Sequence, residues 1–446
     1  MLLAALLLPG AWEKVNPGPG SVSLALQSAS GTFSRSFTPT CSGRPGTDPT
    51  YTFLVKRGTT NNLLINFMGG GACWSDTNCL GPSSTITYFP DVASFQQATL
   101  AIASPILDVG VLDHRNTANP FRDWNMVFIP YCSGDIHIGS NDTTYVDPQT
   151  GVSSTIRHRG FDNFLAVLSY LQLQFPESSV GRVFVTGQSA GGYGAIFDFP
   201  FIKELYYSKQ VDMLGDAAAG TLNVTDTGAA ANAFQTQSAT RWNAGVSIPS
   251  WIPSVAGQYS TLTIADYYAN IAAYYQTSAT TPAPGKSRYA QYSAAYDGNQ
   301  RFFFNVMRLS LKTPPKSYST TDNMWGSHDG FDSQRVGGNP AFNVNCNWNN
   351  QMRSLGTGAA GAFYHRVIAP GTVHTISMSK SFFTSAIPTS GGTVKLVDWY
   401  NSMLSGSGWT DAVCVQGQCG RPVTEESSGA LNCTGQPGFS AAGDGW

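Results

Sequence analysis

Charge is scarce in this chain. Lys, Arg, Asp and Glu make up 12% of its 446 residues and leave a net charge of −2, about half the usual share of charged residues. No run of basic residues occurs, which excludes the electrostatic footprint of a nucleic-acid binder. No apolar segment is long enough to span a bilayer, and no internal repeat is present. No Gly-Lys-Ser or Gly-Lys-Thr follows a glycine-rich stretch, which excludes a nucleotide phosphate loop. The surface must therefore be built from Ser, Thr, Asn, Gln and Gly, a composition suited to an extracellular protein that handles neutral polymers.

Hydrophobic residues, at 42%, are ample for a large core. The length would allow two or three average domains, but large α/β enzymes often use this much chain as one. Eight cysteines are an even number, which suits four disulfides and an oxidising compartment. Cys73 and Cys79, six apart, are the pair most readily joined; spacing does not fix the other six. Asn141-Asp142-Thr143, Asn223-Val224-Thr225 and Asn432-Cys433-Thr434 are N-glycosylation sequons in a eukaryotic source. Met1 to Leu8 is a short apolar run without a preceding basic residue, so residues 1–11 read as the remnant of a signal peptide. Residues 12–405 read as a single catalytic domain. Residues 406–446, Gly/Ser-rich and holding three cysteines, read as a disulfide-pinned extension.

Apolar or alternating runs predict strands at residues 21–27, 51–56, 62–68, 126–130, 182–186, 209–215, 287–295 and 361–369. Helical spacing falls at 161–175, with Phe164, Val167, Leu168 and Leu171 on one face. It recurs from the end of the 182–186 strand to about 205, and near 264–275, 299–309 and 394–404. Strands alternating with helices predict an α/β fold, α/β-hydrolase-like, with a mostly parallel central sheet covered by helices on both faces.

The most informative stretch is Val183-Phe184-Val185-Thr186-Gly187-Gln188-Ser189-Ala190-Gly191-Gly192. A β-prone run enters Gly-Gln-Ser-Ala-Gly, and small, helix-compatible residues follow, the pattern of a nucleophile elbow. Serine needs a base, and the base needs an acid to orient it. Of the histidines after Ser189, His365 lies inside a predicted strand and His328 in a polar loop. His374 lies just past the last strand, where the base belongs. Asp297 follows the preceding strand and is the favoured acid; Asp216, after the 209–215 strand, is the alternative. Gly69-Gly70-Gly71 after an apolar strand offers backbone N–H groups for an oxyanion, together with that of Ala190.

Four ordered blocks carry a wider resemblance: Met68-Gly69-Gly70-Gly71-Ala72-Cys73-Trp74, Ile129-Pro130-Tyr131-Cys132-Ser133-Gly134-Asp135-Ile136-His137-Ile138-Gly139, His158-Arg159-Gly160 and Gly187-Gln188-Ser189-Ala190-Gly191-Gly192. Over roughly residues 50–400 the chain resembles the pectin acetylesterase/Notum family. The Asp135/His137 form of the second block looks most like its microbial branch. The resemblance implies an α/β-hydrolase fold, secretion and a triad of Ser189, Asp297 and His374. It also implies an oxyanion hole of Gly70, Gly71 and Ala190, and a disulfide between Cys73 and Cys79. Plant members carry Gly-Gly-Gly-Trp-Cys, whereas here Ala72 separates Gly71 from Cys73 and Trp74 follows. The pocket wall beside the oxyanion hole therefore differs, and the family substrate does not carry over directly. Asp135 and His137 are too few to hold a metal and are expected to fix their loop by hydrogen bonds.

The expectation is a secreted serine esterase acting on a carboxylic ester, with O-acetyl groups on a polysaccharide leading. A polyester or lipid-ester hydrolase is the alternative, and a non-catalytic glycan-binding protein the third reading. No cofactor or metal is expected; the partner is the ester substrate, and the chain is expected to act as a monomer.

Overall fold

The computed structural model describes residues 11–92, 107–221, 232–311, 344–354, 363–415 and 419. The apolar run at residues 1–10, the sequons at Asn223 and Asn432, and His328 lie outside them.

Among the described residues one sheet has nine strands: β1 (Trp12–Val15), β2 (Phe53–Lys56), β3 (Leu63–Phe67), β4 (Asn125–Ile129), β5 (Arg182–Gln188), β6 (Gln210–Asp216), β7 (Tyr289–Ala294), β8 (Tyr364–Ala369) and β9 (Ala412–Val413). Their spatial order is β1-β2-β4-β3-β5-β6-β7-β8-β9. Only the pairings of β1 with β2 and of β2 with β4 are antiparallel; the other six are parallel. The expected mostly parallel α/β sheet is present. Every residue of β3 and of β7 is buried, so both faces of the sheet are covered, the usual state of parallel strands flanked by helices.

The helices that matter to the site are α1 (Gly160–Gln174), α2 (Ala190–Phe197), α3 (Phe199–Leu205), α4 (Ile264–Thr277), α5 (Gly298–Ser310) and α6 (Leu396–Ser405). Phe164, Val167, Leu168 and Leu171 of α1 are fully buried, as their spacing predicts. The single helix expected from the elbow to about 205 is instead two, parted at Asp198. Pro200 explains the break: it has no N–H to continue the ladder and fits only the first turn of a new helix.

Among the described residues, three disulfides join Cys41 to Cys132, Cys73 to Cys79 and Cys414 to Cys419. The first spans 91 residues, a closure contributing about 4–5 kcal/mol in the chain-entropy model. The segment after residue 405 adds β9 to the sheet beside β8. Cys419, closed onto Cys414, accepts a hydrogen bond from Gly371 N at 2.8 Å, three residues before His374.

Candidate active site

β5 ends at Gln188 and α2 begins at Ala190; Ser189 between them has φ 56° and ψ −121°. That conformation is costly for a residue with a side chain and is the hallmark of an elbow. The crossing admits no side chain on either arm. A Cβ at Gly187 would stand 2.0 Å from the Gly191 carbonyl oxygen, and one at Gly191 would stand 2.1 Å from that of Phe67. Ser189 N donates to the Asp216 carbonyl at 2.7 Å, which fixes the turn against β6.

The triple glycine follows β3 and runs beside Tyr88. Phe89 N donates to Gly70 O, and Ala72 N to Thr87 O, both at 3.0 Å. Among the described residues, the N–H groups of Gly70 and Gly71 have no backbone partner. Gly71 has φ 78°, and a Cβ there would lie 1.9 Å from the Thr87 carbonyl oxygen. Ala190 N–H is the first of α2, one of the donors every helix leaves free at its positive end. Gly70, Gly71 and Ala190 all line cavities that Ser189 also lines.

Asp135 and His137 fix their own loop by hydrogen bonds, as expected, and His137 also ties it to Met68, just before the triple glycine. His137 Nε2 lies 2.8 Å from Met68 O. Burial pushes its pKa down to about 4, so the ring is neutral near pH 7 and Nε2–H is the donor. The Asp135 carboxylate accepts from Ser133 Oγ at 2.6 Å, Gly160 N at 2.7 Å and His137 N at 3.3 Å; burial pushes its pKa up to about 6. Among the described residues, Cys73, Cys79 and His158 are close enough to share an ion. The two sulfurs are joined to each other, and His158 is spent on Ser133 O and Tyr145 Oη at 2.9 Å each.

Asp297 follows β7, caps α5 and is fully buried. His374 Nδ1 meets both of its carboxylate oxygens, at 2.8 and 2.9 Å. Gln300 completes the cradle, its N at 2.9 Å from Oδ1 and its Nε2 at 2.9 Å from Oδ2. With Nδ1–H committed to Asp297, Nε2 is the free basic nitrogen. Ser189 and His374 line the same cavities without a mutual hydrogen bond, a contact that often tightens only around substrate. His365 lies in β8 and bonds Asp411 Oδ1 at 2.9 Å, as a strand residue should.

The alternative acid is not supported. Asp216, fully buried at the end of β6, accepts from Ile376 N at 2.9 Å, Ser377 N at 2.7 Å and Ser377 Oγ at 2.5 Å. Its carboxylate is used on the turn after His374, not on the imidazole. Burial is the main reason its pKa rises to about 6.

Two cavities meet at Gly71, Ser189, Phe303 and His374. One, of about 100 Å³, is walled mainly by apolar and aromatic side chains, among them Trp74, Phe197, Phe234, Trp242, Tyr259 and Leu262. The other, of about 190 Å³, runs over the triple glycine past Tyr88, Phe89, Asn299 and Met378. Gln188, Ser377, Asn299 and Gln300 were not anticipated from the sequence. Only Gln300 had a local signal, since Asp-x-x-Gln is half of a helix capping box and would have favoured Asp297 over Asp216.

Residues 40–237 match the model of the pectinacetylesterase family. That stretch includes the triple glycine and Ser189 and stops short of Asp297 and His374. No curated protein matches the chain. Two crystal forms of the Wnt deacylase Notum from Drosophila are similar to the chain at 16% identity, with TM-scores of 0.49 and 0.48. Each pairing covers 87% of this chain and 94% of the other.

Proposed function

We propose, from the premise that residues 40–237 belong to the pectinacetylesterase family and that the chain is a carboxylic ester hydrolase, that it works through an acyl-enzyme on Ser189. His374 Nε2 takes the Ser189 proton as Oγ attacks the acyl carbon, then gives it to the departing alcohol oxygen. Asp297 holds the imidazole by Nδ1 and stabilises its charged form. The N–H groups of Gly70, Gly71 and Ala190 receive the oxyanion. Water, deprotonated by the same imidazole, then releases the acid and restores Ser189. The observation that carries this reading is the two-oxygen grip of Asp297 on His374 Nδ1, on a cavity wall shared with a strained Ser189.

The leading substrate is an O-acetyl group on a polysaccharide, and the enzyme is secreted. The family match supports the first; the disulfides and scarce surface charge support the second. Residues 12–405 form the catalytic domain, and residues 406–446 extend it. Ser189→Ala tests the nucleophile: p-nitrophenyl acetate hydrolysis should fall by about 10⁴-fold or more with the fold intact, and near-normal turnover would sink the assignment. A second reading, a longer acyl chain, is favoured by the apolar wall of the smaller cavity. A series of p-nitrophenyl esters from acetate to decanoate, run beside acetate release from acetylated polysaccharides, separates the two. Acetate release from polymer with kcat/KM highest at two carbons upholds the first, and a maximum at eight or ten carbons replaces it.

A further inference from the structure

Asp216 is bonded to the backbone of Ser189 on one side and to the turn just after His374 on the other. Its carbonyl oxygen accepts Ser189 N–H at 2.7 Å. Its carboxylate accepts the N–H groups of Ile376 and Ser377 and the Ser377 hydroxyl, two and three residues past His374. Three donors on one buried oxygen are more than a turn of this kind needs for satisfaction alone.

The Ser377 hydroxyl extends the link. It accepts Gln188 Nε2 at 2.9 Å, and that same nitrogen donates to Asn66 Oδ1 at 2.8 Å. Asn66 returns a bond from Nδ2 to Gln188 Oε1 at 3.2 Å. Asn66 lies in β3, which leads into the triple glycine; Gln188 immediately precedes Ser189; Asp216 ends β6; Ser377 belongs to the His374 loop. Asn66, Gln188, Asp216 and Ser377 are each at least nine-tenths buried, so water does not compete for the bonds. The network joins the three parts that carry oxyanion donors, nucleophile and base.

We propose that Asp216 is a positioning residue for the hydrolysis, setting the spacing between Ser189 Oγ and His374 Nε2 by holding the backbone of Ser189 and of the turn just after His374. This inference rests on the triad reading above. His374 is anchored at two separate points. Asp297 sets the tilt and tautomer of the ring, while Asp216 sets where its backbone stands relative to the elbow. A base displaced by about 1 Å loses on the order of 100-fold in rate, so the anchor need move little for its loss to be felt.

The test is kinetic and uses the full chain. Asp216→Ala should lower kcat for p-nitrophenyl acetate, and the rate of fluorophosphonate labelling of Ser189, by about 100-fold. KM should stay within about twofold, because the cavity walls are untouched. Asp216→Asn keeps an acceptor for the turn and puts its NH₂ where Oδ1 now has no partner; it should lose only about fivefold in kcat. Ser377→Ala, which removes one donor and the Gln188 link, should lose about five- to tenfold. Thermal melts establish that each variant is folded. If Asp216→Ala does not fold, the other two decide. The proposal is overturned if Ser377→Ala and Asp216→Asn both match wild type, or if a folded Asp216→Ala keeps kcat within about threefold. It is equally overturned if Asp216→Asn is as inactive as Asp297→Asn, which would make Asp216 the acid. Turnover by Ser189→Ala would defeat the triad reading itself, a result separate from any of these.

Discussion

The two sides of the proposed catalytic cavity are built by different means. On the nucleophile side, backbone meets backbone: Gly187 against Gly191, Gly191 against Phe67, Gly71 against Thr87, each with no room for a Cβ. On the base side, side chains meet across long stretches of sequence. Asp297 reaches His374 over 77 residues, and Asp216 reaches Ile376 over 160. Backbone crowding demands particular residues at adjacent positions, so it writes a contiguous motif. Side-chain bridges demand only that two polar groups end up close, which leaves no local pattern. The family match follows this division: it spans the crowded side and ends at residue 237, before the proposed acid and base.

If the base side works through side-chain chemistry, one atom exchanged there should stop the reaction and spare the fold. Asp297→Asn is the largest such effect. The amide cannot hold Nδ1–H as both carboxylate oxygens do, and a wrong tautomer costs about 10⁴-fold in kcat in triads of this kind. The melting temperature should move little. A variant that is unfolded, or one retaining a tenth of the activity, would count against this reading of the base side.

The nucleophile side should respond the opposite way. Gly191→Ala adds one methyl group, but it would land 2.1 Å from the Phe67 carbonyl oxygen and 2.5 Å from its carbon. Backbone on both sides must move, a cost of about 3 kcal/mol or more, read as a lower urea midpoint together with lost activity. An active Gly191→Ala of normal stability would erase the proposed contrast. Between these extremes lies Gln300→Ala. It removes the Nε2 bond to Asp297 Oδ2 and the support of Ala219 N, while Gln300 N still caps from the backbone. A loss of about tenfold in kcat is expected, with the acid still in place.

Legibility follows the same line. The elbow, the triple glycine and seven strands of the sheet, β2 to β8, are apolar or glycine-rich runs and were readable; the short edge strands β1 and β9 were not. His374 was singled out by its position just past the strand at 361–369, β8 of the sheet. Asp297 was favoured over Asp216 by strand order alone, because each follows a strand and the distinction lies in which partner waits across the loop. The helix break at Asp198 had a local cause in Pro200 that periodicity alone overrode. The hairpin of Asn141–Val146 and Ser153–His158 escaped because its strands are largely Ser, Thr, Asn and Asp. Only Tyr145, Ile156 and His158 in it are buried. The helix Ala233–Trp242 escaped for a similar reason, burying Phe234, Gln235, Ser238 and Trp242 in an otherwise polar run.

The smallest expected effect concerns two buried groups on the nucleophile side that pull against each other. His137 has its pKa lowered to about 4, so between pH 4 and 6.5 the unfolded chain binds a proton there that the folded chain refuses. Its contribution is present above pH 6.5 and lost as pH falls toward 4. Asp135 has its pKa raised to about 6, so between its ordinary 3.8 and 6 the folded chain keeps a proton that the unfolded chain releases. Its contribution is present below pH 3.8 and lost as pH rises toward 6. Over pH 4 to 6 the two slopes are opposite and similar. His137→Gln should therefore make stability rise less with pH than in wild type, and Asp135→Asn should make it rise more. The double variant should track the wild-type pH dependence to within about 1 kcal/mol, whatever its absolute stability. Urea midpoints at pH 4, 5 and 6 measure all three. Single variants tilting in the same direction would mean that the two groups do not titrate against each other, and that the loop beneath the triple glycine is held by something other than this neutral histidine and its buried carboxyl neighbour.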